Sequence, residues 1–157
     1  PRARSVAESF GAVTVDDHDP PQGMNAAVEL GIEALDAHAA LVLVSDLPLI
    51  TSADVDHLIA AAPDGDGVVL ARSADGTGTN AMLLAPPTAL MPELGPESLA
   101  LHLSQASARG VVAQVVDHPG IALDAPRLVV RLARPRREPA GATGRALDHL
   151  GLTAPTA

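Results

Sequence analysis

The sequence contains no cysteine, lysine, tryptophan or tyrosine, and Phe10 is its only large aromatic residue. Without cysteine there are no disulfides, no thiolate catalysis and no cysteine-ligated zinc or iron–sulfur site. The near absence of aromatic rings disfavours modules that grip bases or sugars by stacking. It also means that the core is built from Ala, Val, Leu and Ile. The ten basic residues are all arginine and the net charge is −9, so a nucleic-acid backbone would be repelled. No apolar run approaches bilayer length and no signal-peptide pattern opens the chain, which predicts a cytoplasmic protein without membrane contact. An initiator methionine is also lacking, and the first residues read as part of a helix, so sequence upstream of Pro1 is expected.

What is present fits one domain. A chain of 157 residues with 47% hydrophobic content can bury a sizeable core. The leading feature is Leu41-Val42-Leu43-Val44-Ser45-Asp46-Leu47-Pro48-Leu49. A run that is apolar on both faces predicts a central strand of a parallel sheet. Asp46 then stands at its carboxyl end, where ligands of open α/β sheets bind. Its alternative role is to cap the following helix.

Around this run the pattern alternates. Helices are expected over Arg2–Phe10, Asn25–Ala37, Thr51 or Ser52 to about Ala61, and Glu97–Arg109. Strands are expected at Ala12–Val15, Val68–Ala71, Ala81–Ala85 and Val111–Val116, with further extended segments at Ile121–Asp124 and Leu128–Leu132. Thr51 with Asp54 has the spacing of a capping box, and Gly110 stops the helix before it. Asp16–Asp19 reads as a solvated acidic loop. Alternation of this kind implies an α/β sandwich with a mostly parallel central sheet. Residues 1–133 are assigned to that domain. Residues 134–157 are assigned to an Arg/Pro-rich linker, Arg134–Pro139, and a short helix, Gly144–Leu150.

Three places could carry chemistry. In Asp75-Gly76-Thr77-Gly78-Thr79-Asn80, two glycines let backbone N–H groups approach an anion and two threonine hydroxyls add donors; a plain hairpin turn fits equally well. It is not a P-loop, which needs a lysine. Gly95-Pro96-Glu97-Ser98 opens a helix, where N–H groups and a serine form an anion site or merely a cap. Asp124, after an apolar segment, could share Mg²⁺ with Asp46 on a nucleotide triphosphate. The six histidines, His18, His38, His57, His102, His118 and His149, show no metal-like pairing. His38 and His57 read as surface residues, and His102 lies one turn beyond Ser98, within reach of a ligand there.

Five segments occur in a telling order: Asn25-Ala26-Ala27 with Gly31; Val44-Ser45-Asp46-Leu47-Pro48-Leu49; Gly76-Thr77-Gly78-Thr79-Asn80-Ala81; Gly95 and Ser98 with His102; and Pro119-Gly120-Ile121-Ala122-Leu123-Asp124. From about Ala3 to Leu132 the chain resembles the phosphoenolpyruvate or 2-phospho-L-lactate guanylyltransferases (CofC/FbiD family) of deazaflavin coenzyme F-420 biosynthesis. The resemblance implies a Rossmann-like, GT-A-like nucleotidyltransferase fold, a three-layer sandwich whose first β–α unit, with its nucleotide-contacting loop, precedes Pro1. It implies transfer of GMP from GTP to a three-carbon phosphate acid, with Thr79, Gly95 and Ser98 on the acceptor and Asp46 and Asp124 as catalytic ligands of Mg²⁺. Backbone N–H groups and Arg72 would assist on the acceptor. A homodimer is left open. The alternatives are another Mg²⁺-dependent nucleotidyltransferase, of molybdopterin or sugar-phosphate type, and a non-catalytic phosphate-binding homologue.

Overall fold

A computed structural model describes residues 2–124 of the chain. Its four strands are β1 (Ala40–Leu43), β2 (Gly67–Arg72), β3 (Thr79–Ala85) and β4 (Ala113–Val116), in one sheet of order β1–β3–β2–β4. The helices are α1 (Arg2–Ser9), α2 (Met24–Glu33), α3 (Ser52–Ala60), α4 (Ser98–Arg109) and α5 (Pro119–Ala122).

The period of two along β2 and β3 divides the core. Val68, Leu70, Met82 and Leu84 face one way and pack with Leu90, Leu94, Leu99 and Ala106, with Val28 and Ile32 of α2 against them. Val69, Ala71, Ala81 and Leu83 face the other way, onto Leu47, Leu58 of α3 and Ile121 of α5. Helices therefore cover both faces and the described residues form three layers, as expected. β2 and β3 are central, so both of their faces are buried. Each large aliphatic side chain sealed in this way contributes about 1.5–3 kcal/mol.

The sheet is mixed rather than mostly parallel. β3 runs antiparallel to both of its neighbours, and only the β2–β4 pair is parallel. The reason is connection length. Only residues 73–78 link β2 to β3, whereas a parallel crossover needs about a dozen residues or more. The Gly-rich loop is thus a hairpin connection. β1, β2 and β4 still point the same way, and β1 reaches β2 by way of α3.

Local signals behaved as read. At α3, Thr51 N–H donates to Asp54 Oδ2 at 2.6 Å and Asp54 N–H to Thr51 Oγ1 at 3.4 Å, a reciprocal capping box. Gly110 ends α4 in the left-handed conformation. Ala12–Val15 is not a strand: it has no ladder partner among the described residues, and Val13 is exposed. α2 stops at Glu33, short of Ala37, and Ile121 and Ala122 lie in α5 rather than in an extended run. No helix among the described residues is long and apolar enough to cross a membrane. Leu128–Leu132, the linker, the last helix, the boundary at residue 133 and His149 lie outside the described residues.

Candidate active site

Asp46, Thr79, Gly95, Ser98 and Asp124 all line one cleft of about 740 Å³, within the range of small-molecule sites. Asp46 lies in the turn that follows β1, and the Val44 N–H to Asn80 carbonyl bond (3.1 Å) carries the β1–β3 pairing one residue past Leu43. The opposite wall is made by the start of β3 and the start of α4.

A β-bulge sorts the side chains between these walls. Ala71 pairs with Ala81 but Arg72 pairs with Thr79, so Asn80 is an extra residue in β3. Ala81 faces the α3/α5 layer. Strict alternation would turn Asn80 towards α4 and Thr79 towards α5, and the bulge reverses both. Asn80 Nδ2 donates to the carbonyls of Ile121 (2.8 Å) and Ala122 (3.1 Å), which fixes α5 two residues before Asp124. Thr79 faces α4. Its N–H donates to Ser98 Oγ at 2.8 Å, and its Oγ1 lies 3.0 Å from His102 Nδ1.

The hairpin loop does not present a backbone anion cradle. Gly76 N–H goes to the Ser73 carbonyl, Thr77 N–H to Asp75 Oδ1 and Gly78 N–H to Ser73 Oγ. Thr79 N–H is held by Ser98. Ser73 Oγ donates to Asp75 Oδ1 at 2.6 Å, which closes the network. The α4 amino terminus is likewise engaged: Ser98 N–H meets the Gly95 carbonyl at 3.3 Å and Leu99 N–H the Thr77 carbonyl at 3.0 Å. These amide bonds stiffen the wall, and the hydroxyls of Ser98 and Thr79 are its donors. Gly78 must be glycine here, because a Cβ would stand 2.8 Å from Ser73 Oγ.

The Gly95 corner is pinned from two helices. Asn25 of α2 accepts from Leu94 N–H (2.8 Å) and donates to the Leu94 carbonyl (3.2 Å). Gln105 of α4 makes the same two-way contact with Met91 and also donates to Glu93. Gly95 itself has φ +135°, a conformation open to glycine but strained for other residues. Glu97, with φ 57°, caps α4 in left-handed backbone.

Among its described lining residues the cleft carries three carboxylates, Asp46, Asp75 and Asp124, and neither arginine nor lysine. Asp46, in the turn after β1, and Asp124, after α5, offer carboxylate oxygens of the kind that suits a hard divalent cation. Mg²⁺ is commonly held by one or two carboxylates and completed by waters and phosphate oxygens, and this oxygen-only pair fits that pattern. No group of three or more metal-ligating side chains occurs among the described residues.

Two expectations are corrected. Arg72 does not reach the cleft: its guanidinium forms a bidentate pair with Asp117, Nε to Oδ1 at 2.8 Å and Nη2 to Oδ2 at 2.5 Å. The hydrogen bond to Asp117 holds the arginine above its usual pKa and Asp117 below the usual carboxylate range. His102 does not approach a ligand, being fully buried behind Thr79. Burial lowers its pKa, and the nearby Glu93 charge opposes that shift. Its i, i+4 spacing from Ser98 was the available sign that both share one buried face. Asn25, Asn80 and Gln105 serve the site through backbone carbonyls and amides distant in sequence, and no local pattern marks such partners. His57 and His38 are exposed, as read, and Asp16 pairs with Arg4.

An open α/β sheet with one cleft lined by a carboxylate after β1, a carboxylate after α5 and the hydroxyls of Thr79 and Ser98 has the layout of a phosphate-handling transferase. Residues 1–115 match the family model described as the MobA-like NTP transferase domain, and the chain belongs to that family. It is 43% identical over 127 residues to the phosphoenolpyruvate guanylyltransferase of Rubrobacter xylanophilus, covering 73% of this chain and 62% of that one. It is 35% identical over 128 residues to the enzyme of the same name from Conexibacter woesei, covering 79% and 57%. It is 32% identical over 130 residues to the 3-phospho-D-glycerate guanylyltransferase of Phenylobacterium zucineum, covering 80% and 59%. The chain thus spans about three fifths of the length of these relatives.

Proposed function

We propose that the protein is a guanylyltransferase that joins GMP from GTP to phosphoenolpyruvate or 2-phospho-L-lactate, with release of pyrophosphate, in coenzyme F-420 biosynthesis. One observation carries the reading: the five residues singled out in the sequence line a single cleft that holds both hydroxyls and carboxylates. The names of the relatives support it, since phosphoenolpyruvate and 3-phospho-D-glycerate are both three-carbon acids bearing a phosphate.

The chemistry follows from charge. A phosphate oxygen of the acceptor attacks the α-phosphorus of GTP, the bond from that phosphorus to the bridging oxygen breaks, and pyrophosphate leaves. The second pKa of a phosphate monoester is about 6, so the attacking group is already largely ionised near neutrality. No general base is required, and the task is to hold two anions in line. Ser98 and Thr79 donate to the acceptor, and the Gly95 corner shapes its seat. Bound to Asp46 and Asp124, Mg²⁺ would supply the positive charge that the arginine- and lysine-free cleft lacks. Asn80 keeps the Asp124 segment against β3.

The test is to incubate the protein with Mg²⁺, GTP and each of phosphoenolpyruvate, 2-phospho-L-lactate and 3-phosphoglycerate while recording pyrophosphate. Release that needs both GTP and a three-carbon acceptor is expected. Release with a sugar phosphate or molybdopterin instead, or with no acceptor at all, refutes the proposal.

A further inference from the structure

We propose that His102, although it touches no ligand, is the positioning residue that keeps the Thr79 hydroxyl proton available for donation to the acceptor anion. This rests on the reading above that the acceptor's anionic group sits at Thr79 and Ser98.

The argument is one of proton accounting along a buried chain. Glu93 N–H can only donate, and it meets His102 Nε2 at 3.0 Å. Nε2 therefore carries no proton, and in the neutral ring the proton is on Nδ1. Nδ1–H then donates to Thr79 Oγ1 at 3.0 Å. Thr79 has an acceptor position filled by the ring, and its own proton is left to the cleft, whose lining includes this residue. Ser98 is prepared in the same way, its Oγ receiving Thr79 N–H. A free hydroxyl can accept as readily as it donates, so it can bind water, a cation or an anion. Here one acceptor position of each hydroxyl is filled before the ligand arrives and each proton is kept from that partner, which suits an anion and needs no reorganisation on binding.

The neutral ring is part of the device. An imidazolium has N–H at both positions and would oppose Glu93 N–H. His102 is buried between β3, α4 and the 91–94 segment, and the Glu93 carboxylate is the charge that opposes the effect of burial on it among the described residues.

Two substitutions separate the halves of this relay. The amide of His102→Asn reaches the position of Nδ1 and keeps a donor to Thr79. The amide of His102→Gln reaches the position of Nε2, keeps an acceptor for Glu93 N–H and leaves Thr79 without its donor. Phosphoenolpyruvate binding, measured by calorimetry on the full chain, should weaken about tenfold or more in His102→Gln and less than about threefold in His102→Asn. KM for GTP should stay unchanged in both. In a Thr79→Val background, His102→Gln should have no further effect on acceptor binding. Nitrogen-15 NMR of the unsubstituted protein should show the Nδ1–H tautomer. Equal weakening by the two variants, an additional loss in the Thr79→Val background, or an Nε2–H tautomer each overturns the inference while leaving the proposed reaction standing. An unsubstituted protein that binds none of the three-carbon phosphate acids refutes both together.

Discussion

Asn80→Ala tests whether the bulge in β3 is what ties the Asp124 segment to the sheet. The side chain is 6% exposed and supplies both of its amide protons to backbone carbonyls, those of Ile121 and Ala122. Their fates on truncation differ. Ala122 O keeps Ala74 N–H at 2.7 Å, whereas Ile121 O loses the 2.8 Å bond that Asn80 supplies. Loss of that buried bond costs about 1–3 kcal/mol. Taking about 2 kcal/mol, and about 2–4 °C per kcal/mol for a chain of this size, the melting temperature should fall by about 4–8 °C. Asn80→Asp should be worse near neutrality, because a carboxylate oxygen would face two carbonyl oxygens, and it should recover as the pH falls towards the carboxyl pKa. Thermal unfolding by circular dichroism reads both effects. The Mg²⁺ concentration for half-maximal pyrophosphate release should also rise, since Asp124 lies three residues beyond the Ile121 carbonyl that Asn80 holds. An unchanged melting temperature in Asn80→Asp would refute the reasoning, because no repacking converts that oxygen into a donor.

Three other perturbations follow from the same geometry. Gly78→Ala places a Cβ 2.8 Å from Ser73 Oγ, so it should displace the loop and raise KM for the acceptor severalfold with KM for GTP unchanged; a normal acceptor KM would show that the loop does not shape that seat. Arg72→Ala removes a surface ion pair with Asp117, and such pairs are screened by solvent; stability and both KM values should barely move, and a large rise in acceptor KM would return Arg72 to the site. His102 has its pKa lowered by burial, so the folded state binds a proton less readily than the unfolded chain. The stability it lends is complete above the unfolded pKa of about 6.5 and declines as the pH falls below that value, levelling off beneath the folded pKa. Urea titrations of the parent and His102→Gln between neutral and mildly acidic pH should show a shallower slope for the variant, and identical slopes would contradict the assignment.

The legible parts of this protein were those written locally. The unbroken apolar runs Val68–Ala71 and Ala81–Ala85 announced strands, and Thr51 with Asp54 announced a helix start from three residues' spacing. The Leu41 run, read as a central strand of a parallel sheet, instead lies at the edge among the described residues and pairs antiparallel with β3. The candidate site residues could be chosen because each follows a strand or opens a helix. Sheet direction was also within reach, since six residues between Arg72 and Thr79 cannot make a crossover. The bulge at Asn80 was not legible, because it depends on pairing β3 with β2 in one register. Nor were the uses of the loop amides, which are set by whether Ser73, Asp75 and Ser98 happen to face them. Asn25 and Gln105 hold Leu94 and Met91 across 69 and 14 residues, distances at which side-chain identity alone gives no partner.

The bulge explains why one cleft can serve both ends of the proposed reaction. Thr79 and Asn80 are consecutive, yet one builds the donor wall with Ser98 and the other fixes the carboxylate wall through α5. A regular β3 would exchange them, turning the Thr79 hydroxyl towards the carboxylates and the Asn80 amide towards His102. The Thr79 hydroxyl would then no longer stand beside Ser98, and the two donors would be separated. Deleting Asn80 removes the bulge but leaves Thr79 directly before Ala81 and still facing α4, so acceptor binding should be retained while the tether to α5 is lost. Phosphoenolpyruvate calorimetry on that deletion, with circular dichroism to verify the fold, measures the effect directly. Lost acceptor affinity in a folded deletion protein would show that more than the parity of β3 governs the site.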